Sequence, residues 1–154
     1  MKYWLMKSEP ESFSIDALAA AKDRTTGWDG VRNYQVRNFM RDDMKKGDLA
    51  FFYHSSCAVP GVAGIVKVVR EAYPDATAFD STHHHYDPDS DPREPRWLMI
   101  DVKLERKFDR IIALDELRKH AQGSLKNMAL LKRGNRLSIT PLTKPEFDFI
   151  SALE

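Results

Sequence analysis

The sequence has a single cysteine, Cys57, so it cannot close a disulfide within one copy of the chain. That suits a reducing compartment and points to an intracellular protein, cytoplasmic or, in a eukaryote, nuclear. No apolar run approaches the ~20 residues that a membrane-spanning helix needs. Tyr3-Trp4-Leu5-Met6, which precedes Ser8-Glu9-Pro10, is too short for a signal peptide and has no small-residue cleavage site. No membrane partner is therefore expected. Charge of one sign is also missing: 24 Lys and Arg stand against 23 Asp and Glu, a formal net charge of +1. Such a chain does not attract a polyanion through its overall field, so nucleic acid would have to be met by a local patch. Internal repeats and low-complexity tails are absent, which excludes solenoids. A length of 154 residues fits one domain over residues 1–154. At that size roughly 70% of the unfolded surface can be buried, so no disulfide or metal is needed for folding.

The patterning indicates several strands and short helices. Residues 3–6 read as a strand that starts the fold. Ser14 is an N-cap, with Asp16 in the first turn of a helix. Residues 22–33 are polar, carry Gly27 and Gly30, and read as a loop. A helix over residues 33–44 places Val36, Phe39, Met40 and Met44 on one face and Tyr34, Arg37, Asn38 and Arg41 on the other. Residues 49–55 and 61–69 are strands, the second weakened at Gly64, where a bulge or close backbone contact is expected. Residues 74–95 form a long polar segment holding Pro74, Pro88, Pro92 and Pro95; segments of that length are uncommon unless they serve a site or order against the surface. Residues 97–105 alternate cleanly as a strand, with Leu98, Ile100, Val102 and Leu104 on one face. Helices are expected over residues 114–120 and 124–132, and a strand over residues 135–142. Thr143 and Glu146 form a capping box, with Leu142 and Phe147 as its hydrophobic staple. Strands without regular β-α-β alternation argue for an α+β fold with an antiparallel, barrel-like sheet and flanking short helices.

The segment Trp28-Asp29-Gly30-Val31-Arg32-Asn33-Tyr34 is the densest cluster of recognition chemistry. Gly30 permits a tight backbone between an indole and a guanidinium. An amide (Asn33) and a phenol (Tyr34) follow at a helix start, where free N–H groups attract anions. A flat ring with convergent amide and guanidinium donors suits a planar, hydrogen-bonding ligand. The competing reading makes Trp28 and Tyr34 core or rim aromatics and leaves the arginines solvated. In Phe51-Phe52-Tyr53-His54-Ser55, the tips of Tyr53, His54 and Ser55 are candidates for a pocket mouth. A hydrolase built on His54 and Ser55, or on Cys57, lacks a G-x-S-x-G elbow, and neighbouring residues on a strand face opposite ways. His83-His84-His85 lies in a proline-bounded loop without HExxH or CxxC spacing, and in an extended chain only His83 and His85 would share a side. Neither a metal nor any cofactor is expected. Lys7 and Ser8 either contact a ligand or form an ordinary turn. Arg136, with Lys132 and Arg133, is either solvated or phosphate-facing.

Taken together, Tyr3-Trp4-Leu5-Met6-Lys7-Ser8-Glu9-Pro10, Trp28-Asp29-Gly30-Val31-Arg32-Asn33-Tyr34-Gln35, Arg37-Asn38, Phe52-Tyr53-His54-Ser55, Pro60-Gly61-Val62-Ala63-Gly64, Tyr86-Asp87-Pro88 and Arg133-Gly134-Asn135-Arg136-Leu137-Ser138 resemble the EVE-domain family. The matching blocks run in order along nearly the whole chain. The resemblance implies a PUA-like β-pseudobarrel, related to the YTH domains that read methylated adenine in RNA. It further implies a non-catalytic pocket for a modified base, such as a modified cytosine, in DNA or RNA. By the same resemblance Trp28 and Tyr53, with Arg32, Asn33 and Ser55, are the candidate wall and contacts; Lys7, Ser8, Asn38, His54 and Arg136 are further candidates. Val36 stands where the family usually has Ala, and the three histidines lie where the family varies. The expected partner is nucleic acid carrying a modified base, bound by a monomer. The alternatives are an enzyme acting on modified nucleic acid or a nucleotide, with His54 and Glu9 as its titratable groups, and an RNA-associated sensor of a small ligand.

Overall fold

The computed structural model describes residues 1–154. One six-stranded sheet has the order β2-β5-β4-β3-β1-β6. Its strands are β1 (Tyr3–Ser8), β2 (Thr25–Gly27), β3 (Leu49–His54), β4 (Gly61–Pro74), β5 (Leu98–Ala113) and β6 (Ile139–Leu142). Four short helices flank it: α1 (Ile15–Ala20), α2 (Tyr34–Asn38), α3 (Leu114–Arg118) and α4 (Lys144–Leu153). β1 and β3 pair in parallel, and every other neighbouring pair is antiparallel. The architecture is the α+β class expected from the patterning.

The sheet has a core on each face. Trp4, Met6, Ala50 and Phe52 join a cluster of 18 buried residues on one side. Leu5, Phe51 and Tyr53 join a cluster of 13 on the other. β1 and β3 are thus covered on both faces, which is why they read as continuous apolar runs. β5 does alternate at first: Ile100, Val102 and Leu104 are buried, while Lys103 and Glu105 are exposed. The long strands β4 and β5 pair with four register shifts, the first beside Gly64. Bulges bend a strand and raise its twist. A Cβ on Gly64 would lie 2.4 Å from the Arg106 carbonyl oxygen and from Ile15 Cδ1, so the close approach expected there is real.

Local signals set the element ends. Ser14 Oγ accepts from the Ala17 N–H at 3.1 Å and caps α1. Thr143 and Glu146 form the reciprocal capping box of α4, at 2.8 and 3.2 Å. The Asp48 carboxylate is buried and accepts from Lys2 N, Trp4 Nε1 and Lys45 N, each at 3.0 Å, which ties the start of β1 to the start of β3. Four expectations need correction. The stretch 22–33, expected as a loop, holds a 3₁₀ turn, Lys22–Arg24, and the edge strand β2, Thr25–Gly27. The helix expected over 33–44 changes at Phe39 into a π-helical turn, Phe39–Asp43, although Val36, Met40 and Met44 are buried as its spacing requires. The helix expected over 124–132 is a set of turns with one 3₁₀ segment, Ala129–Leu131; Leu125 and Met128 reach the core from those turns. The strand expected from 135 begins only at Ile139, because Asn135 Oδ1 accepts from the Leu137 N–H at 3.0 Å and folds the chain back first.

His54, at the end of β3, accepts the Ile15 N–H on Nε2 at 3.1 Å and so fastens α1 to the sheet. Burial lowers its pKa, with the Asp16 carboxylate opposing. Only the neutral ring can accept this bond. Its contribution is therefore fully present above the ordinary value of about 6.5 and is lost as pH falls from there through the lower folded value. Urea unfolding of the wild type should lose more stability between about pH 7.5 and about pH 5.5 than the non-titrating His54→Gln variant does. Equal losses in the two proteins would rule out this role.

Candidate functional site

Beyond β2 the backbone stays in register for one more residue, and the Trp28 N–H donates to the Ile100 carbonyl at 2.7 Å. Trp28 is 8% exposed and meets Phe52 edge-on, with ring centroids 5.6 Å apart at 84°. Its indole N–H makes no hydrogen bond within the protein. Gly30 then turns the chain at φ +78°, and a Cβ there would lie 2.4–2.7 Å from the His85 ring. Both the backbone sign and the imbricated imidazole demand glycine at this position. Arg32 follows with its guanidinium committed to the protein: Nε and Nη2 donate to the His85 carbonyl at 3.2 and 2.6 Å. Nη1 donates to the Val31 carbonyl at 2.8 Å and to Asp75 Oδ2 at 3.1 Å, and Nη2 reaches Thr77 Oγ1 at 3.4 Å.

Asp75 is the anchor of this arrangement. Its side chain is fully buried. The carboxylate accepts from the Gly30 N–H at 2.9 Å, from Arg32, from the Thr77 N–H at 2.9 Å and from the Thr77 hydroxyl at 2.6 Å. Its own N–H donates to the Trp97 carbonyl at 3.0 Å. Burial pushes its carboxyl pKa up, but the bonds from Thr77, Gly30 and Arg32 together outweigh that and hold it below the usual carboxylate value. The long segment between β4 and β5 is thereby ordered against the loop that follows β2. Trp97 adds to the seam: its indole donates to Asp87 Oδ2 at 2.6 Å, and its ring packs on Tyr34 at 4.8 Å.

Between the two segments and the C-terminal end of β1 lies an open cavity of about 660 Å³. That is within the range of ~300–1,000 Å³ typical of small-molecule sites. Lys7 and Ser8 come from β1, Glu9, Ser12 and Phe13 from the turn after it, Thr26 and Gly27 from β2, and residues 28–32 from the loop; His83, His84, His85 and Ser138 complete the wall. The Lys7 ammonium has no hydrogen bond or ion pair, and partial burial lowers its pKa. The Ser8 hydroxyl donates to the Phe13 carbonyl at 2.6 Å and keeps its oxygen lone pairs free. The formal charges of the wall balance, with Lys7 and Arg32 against Glu9 and Asp29.

Of the ten residues singled out in the sequence, the cavity thus gathers Lys7, Ser8, Trp28 and Arg32. Six others lie outside its lining. Tyr53 is 3% exposed in the core on the opposite face of the sheet from Trp28, and burial pushes its phenol up to about 12. Strand parity explains this: Trp28 packs on Phe52, so Tyr53 must point the other way. Asn33 caps α2 by accepting from the Val36 N–H at 3.1 Å. Asn38 accepts from Arg37 Nε at 3.0 Å. His54 is engaged with Ile15, and Ser55 passes the end of β3 with its N–H on the Ser8 carbonyl at 2.9 Å. Arg136 is exposed. The sequence reading missed Phe13, whose signal was an isolated aromatic in a serine-rich turn. It also missed the histidines as wall residues, because an extended chain was assumed. In fact, Asp80 accepts from the Thr82 N–H at 2.9 Å and turns the tract, so all three rings cluster.

Removing the anchor should be expensive. Asp75→Ala orphans the Gly30 N–H and leaves a three-quarters-buried guanidinium without its counter-ion. A loss of about 3 kcal/mol is expected on urea unfolding. Asp42→Ala, which breaks the exposed pair with Arg41, should leave stability unchanged within error. Similar effects from the two variants would remove Asp75 as the anchor.

The chain is also similar to known proteins. The chain matches the EVE domain family model over residues 2–153. It is 53% identical to human thymocyte nuclear protein 1 over 167 aligned positions, covering 99% of this chain and 73% of that protein. Among solved structures, the human THYN1 protein in complex with 5-methylcytosine-containing DNA superposes with a TM-score of 0.94 at 52% identity, covering 99% of this chain and 97% of the other. A Pseudomonas putida protein superposes with a TM-score of 0.92 at 46% identity, covering 98% of each chain. From its first strand to its last helix, the chain belongs to the EVE domain family.

Proposed function

We propose that this protein is a non-catalytic DNA-binding module that takes a modified cytosine, flipped out of the duplex, into the cavity beside Trp28. The observation that carries the reading is the cavity's make-up. Trp28, whose indole N–H is free, a second aromatic residue (Phe13), the unpaired Lys7 and Ser8 all line one space large enough for a base. The likeness to a relative solved with 5-methylcytosine-containing DNA selects the substrate class.

The energetics are consistent with that use. Flipping a base costs a few kcal/mol. One aromatic contact returns ~1–3 kcal/mol, so stacking alone does not suffice and hydrogen bonds to the base edge must add to it. The edge donors come from Lys7 and the Trp28 indole rather than from Arg32, whose N–H groups are already engaged. The balanced charge of the wall means that phosphate contacts elsewhere on the surface must supply the salt-dependent part of the affinity. Burial of one methyl group contributes ~0.8 kcal/mol, or about a fourfold preference for 5-methylcytosine over cytosine.

The enzymatic alternative needs a free general base at the cavity. His54, one of its two titratable candidates, lies outside and accepts from Ile15. The His85 and Asp29 side chains come only to 4.0 Å of one another, beyond the reach of a catalytic hydrogen bond. Glu9, the other candidate, lines the cavity but its side chain has no hydrogen-bonded or ion-paired partner there, so the geometry favours binding over turnover.

Trp28 belongs to the core as well as to the wall, so Trp28→Ala would confound folding with binding. Trp28→Phe and Lys7→Met are the cleaner variants. Fluorescence anisotropy with duplexes containing one 5-methylcytosine, one cytosine, or the matching RNA should give about a fourfold preference for the methylated DNA in the wild type. Each variant should bind it at least ~5-fold more weakly, the loss of one hydrogen bond of about 1 kcal/mol or more. Unchanged binding in both variants would sink the cavity as the site, and tighter binding to the RNA would redirect the reading to that partner.

A further inference from the structure

We propose that His83, His84 and His85 form a site for one divalent transition-metal ion at the mouth of the cavity, oriented by Asp29. One ring nitrogen from each of the three histidines lies within 4.8 Å of the other two. The rings are already gathered, with centroids 4.6 Å apart for His83 and His84, 4.9 Å for His83 and His85, and 3.9 Å for His84 and His85. Imidazoles on a tetrahedral ion at 2.0–2.1 Å have ligand nitrogens roughly 3.4 Å apart. The rings therefore need to close by no more than ~1.5 Å, which rotation about their own side-chain bonds supplies.

The backbone that carries them is held from outside the cluster. Arg32 grips the His85 carbonyl with two N–H groups, and the Asp87 N–H donates to the Ala78 carbonyl at 2.9 Å. The nitrogens are also differentiated. His83 Nδ1 accepts from the His85 N–H at 3.0 Å, which leaves its Nε2 to face an ion. His85 Nδ1 is buried with no hydrogen-bond partner, and it stands 4.0 Å from Asp29 Oδ2. Buried polar atoms are rarely left unpaired without a reason. A bound ion resolves this one: His85 Nε2 ligates, and Nδ1–H donates to Asp29. This is the carboxylate–histidine–metal arrangement that fixes a ligand ring and raises its basicity. Three imidazoles suit zinc, nickel or copper rather than magnesium or calcium. With the formal charges of the wall otherwise balanced, the ion would give this rim a net positive charge.

The test is calorimetric titration of zinc and of nickel ions into the full-length, chelator-stripped protein at neutral pH. One ion per chain is expected. His83→Ala and His85→Ala should each weaken binding at least ~10-fold, and Asp29→Asn by ~10–100-fold, the usual effect of losing an orienting partner. Urea midpoints equal to wild type would show that the variants are folded. A built site also requires binding to be lost when the wild type is unfolded in urea. Absence of binding, affinity equal in folded and unfolded chains, or no effect of Asp29→Asn would each overturn the proposal and leave only the adventitious affinity of a histidine-rich tract.

Discussion

One buried carboxylate sets the geometry on which the rest of the site depends. Asp75 collects donors from Gly30, Arg32 and Thr77, and its own N–H reaches Trp97. An unpaired carboxylate at that depth would be destabilised by several kcal/mol. The loop after β2 and the segment after β4 therefore have to arrive together or not at all. Gly30 presents its N–H to Asp75 at a φ of +78°, a backbone conformation that favours glycine. Arg32 completes the closure from the other side by holding the His85 carbonyl. A segment of more than twenty residues with almost no regular structure is thereby fixed against the sheet, and it becomes one wall of the cavity.

The sheet explains why the cavity lies where it does. β1 and β3 run parallel through the middle with apolar residues on both faces. Polarity can enter only where these strands end, and there the sequence changes abruptly from Trp4-Leu5-Met6 to Lys7-Ser8-Glu9 and from Phe51-Phe52-Tyr53 to His54-Ser55. The two ends do different work. Lys7 and Ser8 open onto the cavity, while His54 turns to α1 and fastens it. The Ser55 N–H on the Ser8 carbonyl keeps the ends in register.

Much of this was legible from the residues, and the failures share a cause. Signals carried by adjacent residues were read correctly: the Ser14 cap, the Thr143 and Glu146 box, the bulge at Gly64 and the alternation of Ile100, Val102 and Leu104. Tertiary context overrode the rest. Leu125 and Met128 show an apolar spacing that is real in the packing but is met by turns, not by a helix. β5 continues to Ala113 through the exposed Glu105-Arg106-Lys107, where register shifts against β4 erase the alternation. Tyr53 and Arg32 were assigned to the ligand by residue type and by family resemblance. The structure gives Tyr53 to the far core and uses the donors of Arg32 within the protein. A donor's availability depends on which partners reach it across the fold, and residue type alone does not encode that.

Trp28 shows how the fold constrains recognition. Its ring is inserted in the 18-residue core against Phe52, yet it also lines the cavity. A ring held in this way has already lost its rotamer freedom when the protein folds, so little further ordering is required when a ligand arrives. The same insertion limits what it can do. With only 8% of its surface open, it cannot offer a whole face. In the proposed binding mode part of the stacking platform comes from Phe13, which packs at 6.5 Å on the same Phe52 and lines the same space. The aromatic wall of the cavity is then a pair of rings braced by Phe52, which does not itself line it. Substitution at Phe52 would move both rings at once, which makes this core residue a positioning element of the site.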